Sequence, residues 1–558
     1  MVAVSLTACA PASSIVPGSQ VSVAQVGQIT TLNRDVVSAS QNKIASDLGV
    51  LTLQNFYEVD EDGTLVANKN FGTIKVSKDD KFTLTYTMDK GAKWSDGSSV
   101  DATDLALAVI AAKTANFNSL RFGTSISAAE IVGLPKAGTN TLSIRFPKAI
   151  ADWKTVLNVS VAAHVVGKAA GITGNVATVR AEVINGLTGK SPELLKKLAE
   201  AYSKALEPSA DISHFLSNGA YSIAAVSAED IELRAVRDYQ GFQSGVAEKI
   251  YFKFYADNAS ALKAVSIEKA DIYVPLVTLN EPQSDLVTQS QTLDAEKFKV
   301  LAPTSSMSQQ FVLNLSQGAF ADATYKDPAT AKILRQAFMH IVPKTRAYDF
   351  ASMTQVITKS DSFVYSSASK NYLAVAGSNG SANFLLQDAE KAGELIKTAK
   401  LNYKPRVRVL FDTDNPAAVA EWTLLSDHAS EAGFRLTNVS SADPSARYKS
   451  NLYEVYLGAQ PLIGVGVGSV QQLLSGPIKM PEAQFEELTK GVTSATAKTI
   501  DAELQTLDQK LFELGIGLPM YQMPTLLIYN QRIKGLVADP HATNSTWGYW
   551  TWQVSADK

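Results

Sequence analysis

Five histidines, one cysteine and one glycine-rich run are the residues that chemistry would draw on first, and none is arranged for it. His164, His214, His340, His428 and His541 are scattered, without the i, i+4 pair that puts two imidazoles on one helix face for a metal. Neither His-Glu-x-x-His nor Gly-x-Ser-x-Gly occurs, so zinc hydrolysis and nucleophile-elbow acyl transfer lack their residues. Gly464-Val465-Gly466-Val467-Gly468 has neither the spacing of a dinucleotide fingerprint nor the lysine of a phosphate loop, and reads as a mobile or closely approached backbone. No metal, cofactor or catalytic residue is expected. There is no charged residue from Val455 to Ile478 or from Ser305 to Ala321, and Trp547, Tyr549, Trp550 and Trp552 fall within six residues. Period-2 spacing puts Trp550 and Trp552 on one face of a strand, either as a packed terminal strand or as a ligand contact.

Such residues need a scaffold, and length and composition describe one. A chain of 558 residues is too long for one core and implies two or three domains. Hydrophobic residues at 46% and charged residues at 19% are ordinary for a globular protein. A net charge of −3 speaks against a nucleic-acid partner. No stretch reaches the roughly 18 apolar residues that span a bilayer. Lys81–Met88 alternates as a strand. It is followed by Lys93-Trp94-Ser95-Asp96-Gly97, in which Asp-Gly makes a turn, and by Asp101, placed to cap a helix with Asp104 three residues on. Local chemistry of this kind reads Trp94 and Asp96 as structural. Arg406–Phe411 is a strand; Asn415-Pro416 opens a helix to about Ala432 that Gly433 stops. Ser191-Pro192 opens another, to about Leu206. Ile500, Leu504, Leu507, Leu511 and Leu514 share one face of a third, ended by Gly515. Strands alternating with helices imply α/β lobes.

The Trp94-Ser95-Asp96-Gly97 turn between a strand and a capped helix resembles the signature of family 5 extracellular solute-binding proteins, the receptors of peptide-type ABC importers. The order of weaker matches extends the resemblance over some 500 residues. It takes in Ile29–Asn33, the hairpin Glu58–Val66, Ser217-Asn218-Gly219-Ala220-Tyr221, Phe311-Val312-Leu313-Asn314, Leu334–Phe338, Gln387–Ala392 and Leu518-Pro519-Met520-Tyr521. The resemblance implies a type II periplasmic-binding fold, with two main lobes around a ligand cleft and an inserted extra lobe. Lobe I would combine 20–57, 208–300 and 516–558, the extra lobe 58–207, and lobe II 301–515. Ala8-Cys9 behind an apolar, uncharged start resembles a bacterial lipoprotein cleavage site within residues 1–20, with Cys9 lipidated and residues 10–20 a tether. The competing reading of Cys9 is a leftover thiol.

The resemblance further implies a monomeric, extracytoplasmic receptor, lipid-anchored at the outer face of the cell membrane or periplasmic. It would capture a small-molecule or peptide ligand between its lobes and pass it to ABC permease subunits with their ATPases. Ligand contacts carried over by resemblance are Gln25, Gln309, Trp422, Gly458 and Gln460. Peptide-binding members commonly carry a Trp and an Asp where this chain reads Tyr456–Ile463. A buried ammonium without a carboxylate is costly, so the departure from the family pattern favours a neutral or oligomeric solute, read by backbone bonds, amides and apolar walls, over a conventional free-amine peptide contact. Two other readings stay open: a sensory or chaperone-like binding protein without an importer, and a secreted α/β hydrolase.

Overall fold

A computed structural model describes residues 14–556 apart from 37–38, 61–64, 79–81, 122–124, 148–149, 151–152, 209–210, 276–288, 303, 353–356, 445–446, 448–449, 463–477, 496–498 and 540–543. Cys9 and the glycine run 464–468 therefore lie outside the described residues.

Two large sheets organise the chain. The first is built around β1 (Val16–Val26), which pairs in parallel with β10 (Ala247–Tyr255) on one side and β11 (Ile272–Tyr273) on the other. Beyond β10 lie β9 (Asp230–Ala235) and β8 (Tyr221–Val226); beyond β11 lie β19 (Leu527–Asn530) and β12 (Phe298–Leu301). The second sheet runs in the order β14 (Thr358–Lys359), β18 (Gly517–Pro524), β13 (Thr304–Leu313), β17 (Val455–Pro461), β15 (Arg406–Phe411), β16 (Arg435–Asn438). Residues 16–20, expected in a tether, instead extend β1. Their pairing with Ala247 and Lys249 draws them into the sheet across an irregularity at Gly18, whose φ of 76° a side chain would resist. Residues 516–524, expected with the first lobe, belong to the second sheet, because β18 pairs with β13 from Val312 to Thr304.

The chain passes between the sheets twice, each time over two residues: from Leu301 to Thr304 and from Pro524 to Leu527. The passages run side by side. Leu301 is paired with Leu527 in the first sheet and Thr304 with Pro524 in the second. Both leave from the edge where the parallel strands of each sheet end, β1 and β11 on one side, β15 and β17 on the other. In α/β sheets that edge is where ligands bind.

The third sheet, β4 (Gly72–Lys78), β5 (Phe82–Met88), β7 (Thr141–Phe146) and β6 (Glu130–Ile131), carries its own core with the helices that follow. Phe82, Leu84, Tyr86 and Met88 are buried and the threonines between them are half-buried, the alternation of a sheet packed on one face. The Trp94 turn is built into this core. Gly97 takes φ 83°, and Asp101 and Asp104 form the capping box of helix Ala102–Lys113. The Trp94 indole donates to Asp104 at 3.2 Å, Asp104 also accepts the Ala163 amide at 2.7 Å, and Arg180 pairs with Asp101 at 3.1 Å. Burial pushes the Asp104 carboxyl up to about 6 despite Arg180. His164 bonds Asp96 at 2.9 Å. The motif thus fastens a turn, two helix starts and one arginine together. Arg180→Met would leave two buried carboxyls without their cation, and the expected loss is about 3–5 kcal/mol in urea unfolding. Solute affinity should be untouched; a variant of wild-type stability would show that the cluster does not hold this lobe.

Candidate functional site

A cavity of about 620 Å³ opens between the first sheet and the lobe of the third, lined only by residues within 34–158, 239–242 and 547–550. Its polar wall begins eight residues past the end of β1 (Val26 to Arg34). There the loop is stitched down: the Leu32 amide donates to Leu206 O at 2.8 Å, the Asn33 amide group to Tyr202 O at 2.8 Å, and Asn33 Oδ1 accepts the Asp35 amide at 3.1 Å. Arg34 is thereby aimed at the cavity. Its Nε donates to Ser160 at 3.1 Å and its Nη2 to Asn55 Oδ1 at 3.1 Å.

The other charges of this wall are partnered within it. Asp35 accepts Arg121 Nε at 3.1 Å and the Tyr202 hydroxyl at 3.3 Å. Burial pushes the Asp35 carboxyl up, but Arg121 and Arg34 outweigh it and hold it below the usual carboxylate range. Glu58 on β2 (Tyr57–Val59), which forms a hairpin with β3 (Leu65–Ala67), accepts the Asn55 backbone amide at 2.7 Å and its side-chain amide at 3.1 Å. Burial still wins at Glu58 and pushes it up to about 7.

The lining also carries an aromatic cluster: Tyr239, Phe242, Trp547, Tyr549 and Trp550. Trp550 meets Phe242, Trp547 and Tyr549 edge to face, at centroid distances of 6.3, 5.2 and 5.1 Å. This segment is not the expected strand. Gly548 at φ 75° turns it into a 3₁₀ turn, Tyr549–Thr551, that presents Trp550 to the cavity while Trp552 is buried in the core of the first sheet. The segment is anchored just before the turn. Asp47 accepts Ser545 Oγ at 2.5 Å, Lys43 at 2.7 Å and Gln25 Nε2 at 2.8 Å, and Thr546 Oγ1 donates to Asp47 O.

Of the ligand contacts expected from the sequence, none lines this cavity. Gln25 is buried and acts through Asp47 on the aromatic wall. The other four converge on the second sheet at the edge that leads to the crossings. Ser308, Gln309 and Gln310 of β13 stand opposite Gln460, Ala459 and Gly458 of β17. A side chain at 458 would meet the Tyr456 ring at 2.6 Å, so Gly458 makes room for a neighbour. Trp422, on helix Pro416–Ala432, is half-buried and stacks on Phe411 at 5.8 Å. Gln309 is fully buried and donates to Glu421 Oε2 at 2.9 Å, and the Tyr521 hydroxyl donates to Glu421 Oε1 at 2.6 Å. The residues missed were Arg34, Asn55, Glu58, Arg121 and Asn158.

Glu421 has no cation beside it among the described residues, and burial pushes its carboxyl up to about 7, well above the ordinary range. The folded state therefore holds this proton more tightly than the unfolded chain, and its stabilising effect fades as pH rises from about 4.5 through about 7. Glu421→Gln can keep an acceptor for Tyr521 and offer a donor to Gln309 Oε1, which has no partner among the described residues. The variant should lose that pH dependence and gain on the order of 3 kcal/mol over wild type at pH 8. Parallel pH–denaturation slopes for the two proteins would refute the assignment.

No curated protein matches the chain. Among solved structures it is similar to the periplasmic EDTA-binding protein EppA, with a TM-score of 0.69 and 18% identity over 97% of this chain and 98% of that one. CtaP, an ABC transporter substrate-binding protein from Listeria monocytogenes, superposes with a TM-score of 0.62 and 15% identity over 97% of this chain and all of the other. The oligopeptide-binding protein AppA from Bacillus subtilis, in complex with a nonapeptide, gives 0.57 and 12% over 98% of this chain and all of that one. These likenesses establish the fold. Residues 73–461, well over half of the chain, match the sequence profile of the bacterial extracellular solute-binding proteins, family 5, middle region. With the two sheets and their double crossing, this match shows that the chain belongs to family 5 of the bacterial extracellular solute-binding proteins, which are transport receptors and not enzymes.

Proposed function

We propose that the protein is the solute-capturing subunit of an ABC importer and that the cavity bounded by Arg34 and Trp550 is where the solute sits. The observation that carries this reading is the lining of the cavity, where Arg34 and the side chains of Phe242, Trp547 and Trp550 share one space of about 620 Å³. Bending at the two crossings would bring the edge that bears Trp422 and Gln460 toward the strand ends of the first sheet, as hinge closure does. The closed, monomeric form then docks on the permease. Solved relatives of this fold are described as holding a nonapeptide, Ni(L-His)₂ and agropinic acid, so the fold alone does not select the solute.

Thermal unfolding against peptides, oligosaccharides and metal chelates tests the reading. A true ligand at 100 times its Kd should stabilise by about 2.7 kcal/mol, and Trp550→Ala should abolish most of that gain. If no solute class stabilises the protein, the receptor reading fails; if Trp550→Ala leaves the gain intact, the seat is elsewhere. The lipid anchor is a separate proposal, supported by Ala8-Cys9 behind an apolar run. Expressed in a bacterial host from its natural gene, the chain should incorporate labelled palmitate and Cys9→Ala should not; equal labelling would exclude Cys9 as the site.

A further inference from the structure

We infer that the solute carries a carboxylate that pairs with Arg34, with an apolar or aromatic body laid against Trp547 and Trp550. The inference rests on the cavity being the solute seat, and it revises the neutral ligand expected from the uncharged stretches of the second lobe.

Arg34 is the unbalanced charge of the cavity. Its two bonds go to neutral acceptors, Ser160 Oγ and Asn55 Oδ1, which leaves three of the five guanidinium N–H donors without a partner among the described residues. No carboxylate oxygen of the described residues lies within 4.0 Å of it, whereas Arg121 in the same wall is paired with Asp35 at 3.1 Å. Burial draws the Arg34 pKa down, the mark of a cation whose surroundings do not fully compensate it. Asp35 is committed to Arg121, and Glu58, the other nearby acid, is held at both oxygens by Asn55 and pushed up to about 7 by burial, so it offsets Arg34 only in part near neutral pH.

A half-buried guanidinium with free donors is a fork for a planar anion. The charge census selects the kind. Asp35 and Arg121 are paired and Glu58 offsets Arg34 only in part near neutral pH, so the excess is at most one positive charge, which suits a monoanion; a phosphate dianion would meet no more than half of its charge. The same cavity holds the aromatic cluster, which can bury an apolar body but offers no second cation.

Matched acids and amides test the idea by calorimetry: N-acetylphenylalanine against N-acetylphenylalaninamide, and indole-3-acetic acid against indole-3-acetamide. The acids should bind roughly 10- to 150-fold tighter than the amides, the range of a charge-assisted hydrogen-bonded pair. Arg34→Gln should reduce each acid to the level of its amide, and Arg34→Lys should retain part of the preference. Melting curves followed by circular dichroism report whether the variants fold; if Arg34→Gln does not, the acid-to-amide ratio in the wild type decides. Amides that bind as tightly as the acids, or an acid preference that survives in folded Arg34→Gln, overturn the inference. A solute without a carboxylate that stabilises the protein through Trp550 also overturns it and leaves the receptor reading standing. Failure of every solute class removes both.

Discussion

Two short strand connections, paired with each other on both sides of the gap, are the constraint from which the architecture follows. Leu301 with Leu527 and Thr304 with Pro524 form rungs that hold the sheets at a fixed edge-to-edge relation, so strand ends that would otherwise face anywhere face one another. A single linker would let the lobes swivel. Two adjacent ones leave one soft direction, a bend across the pair. The side chains beside them are tied accordingly: Gln522 is fully buried, donating to Ser305 O at 3.0 Å and accepting the Ser367 amide at 2.6 Å, so each crossing is rooted in the second sheet before it leaves.

Buried carboxyls mark the joints of the molecule, and their partners show what each joint does. Asp47 gathers β1, helix Ala39–Thr52 and the segment before the tryptophans; Asp104 gathers a turn and two helix starts; Glu421 gathers a helix and the two crossing strands. Each satisfies several donors from different parts of the chain, which is how a costly buried group is made tolerable. Arg34 departs from this pattern. It is held by two neutral acceptors and keeps donors in reserve among the described residues.

Elements governed by local chemistry were legible in the sequence. The Asp101–Asp104 box, the Asn415 cap with Pro416, and the stops at Gly433 and Gly515 fall where turn and cap chemistry puts them, because the residues that decide them are neighbours along the chain. The family signature was legible for the same reason, and its core role follows from contacts within one lobe. The cavity was not. Its walls come from three distant segments, and the Trp547–Trp552 alternation suggested a strand because nothing local announces that Gly548 turns the chain. The second-lobe residues expected to touch ligand do gather at one edge, but Gln309 is committed to Glu421, a partner 112 positions away that spacing could not reveal.

The tryptophans of the aromatic wall carry a consequence of their own. Trp547 and Trp550 border the cavity, Trp153 packs edge to face on the lining residue Tyr57, Trp94 and Trp552 are sealed in separate cores, and Trp422 lies on the second lobe. Emission from the two wall indoles depends on the polarity around them, so a solute seated in this cavity, as proposed, would write its presence into the intrinsic fluorescence. The sealed indoles would supply a background. The fold would therefore contain an unlabelled optical sensor, with signal and reference built from the same side chain.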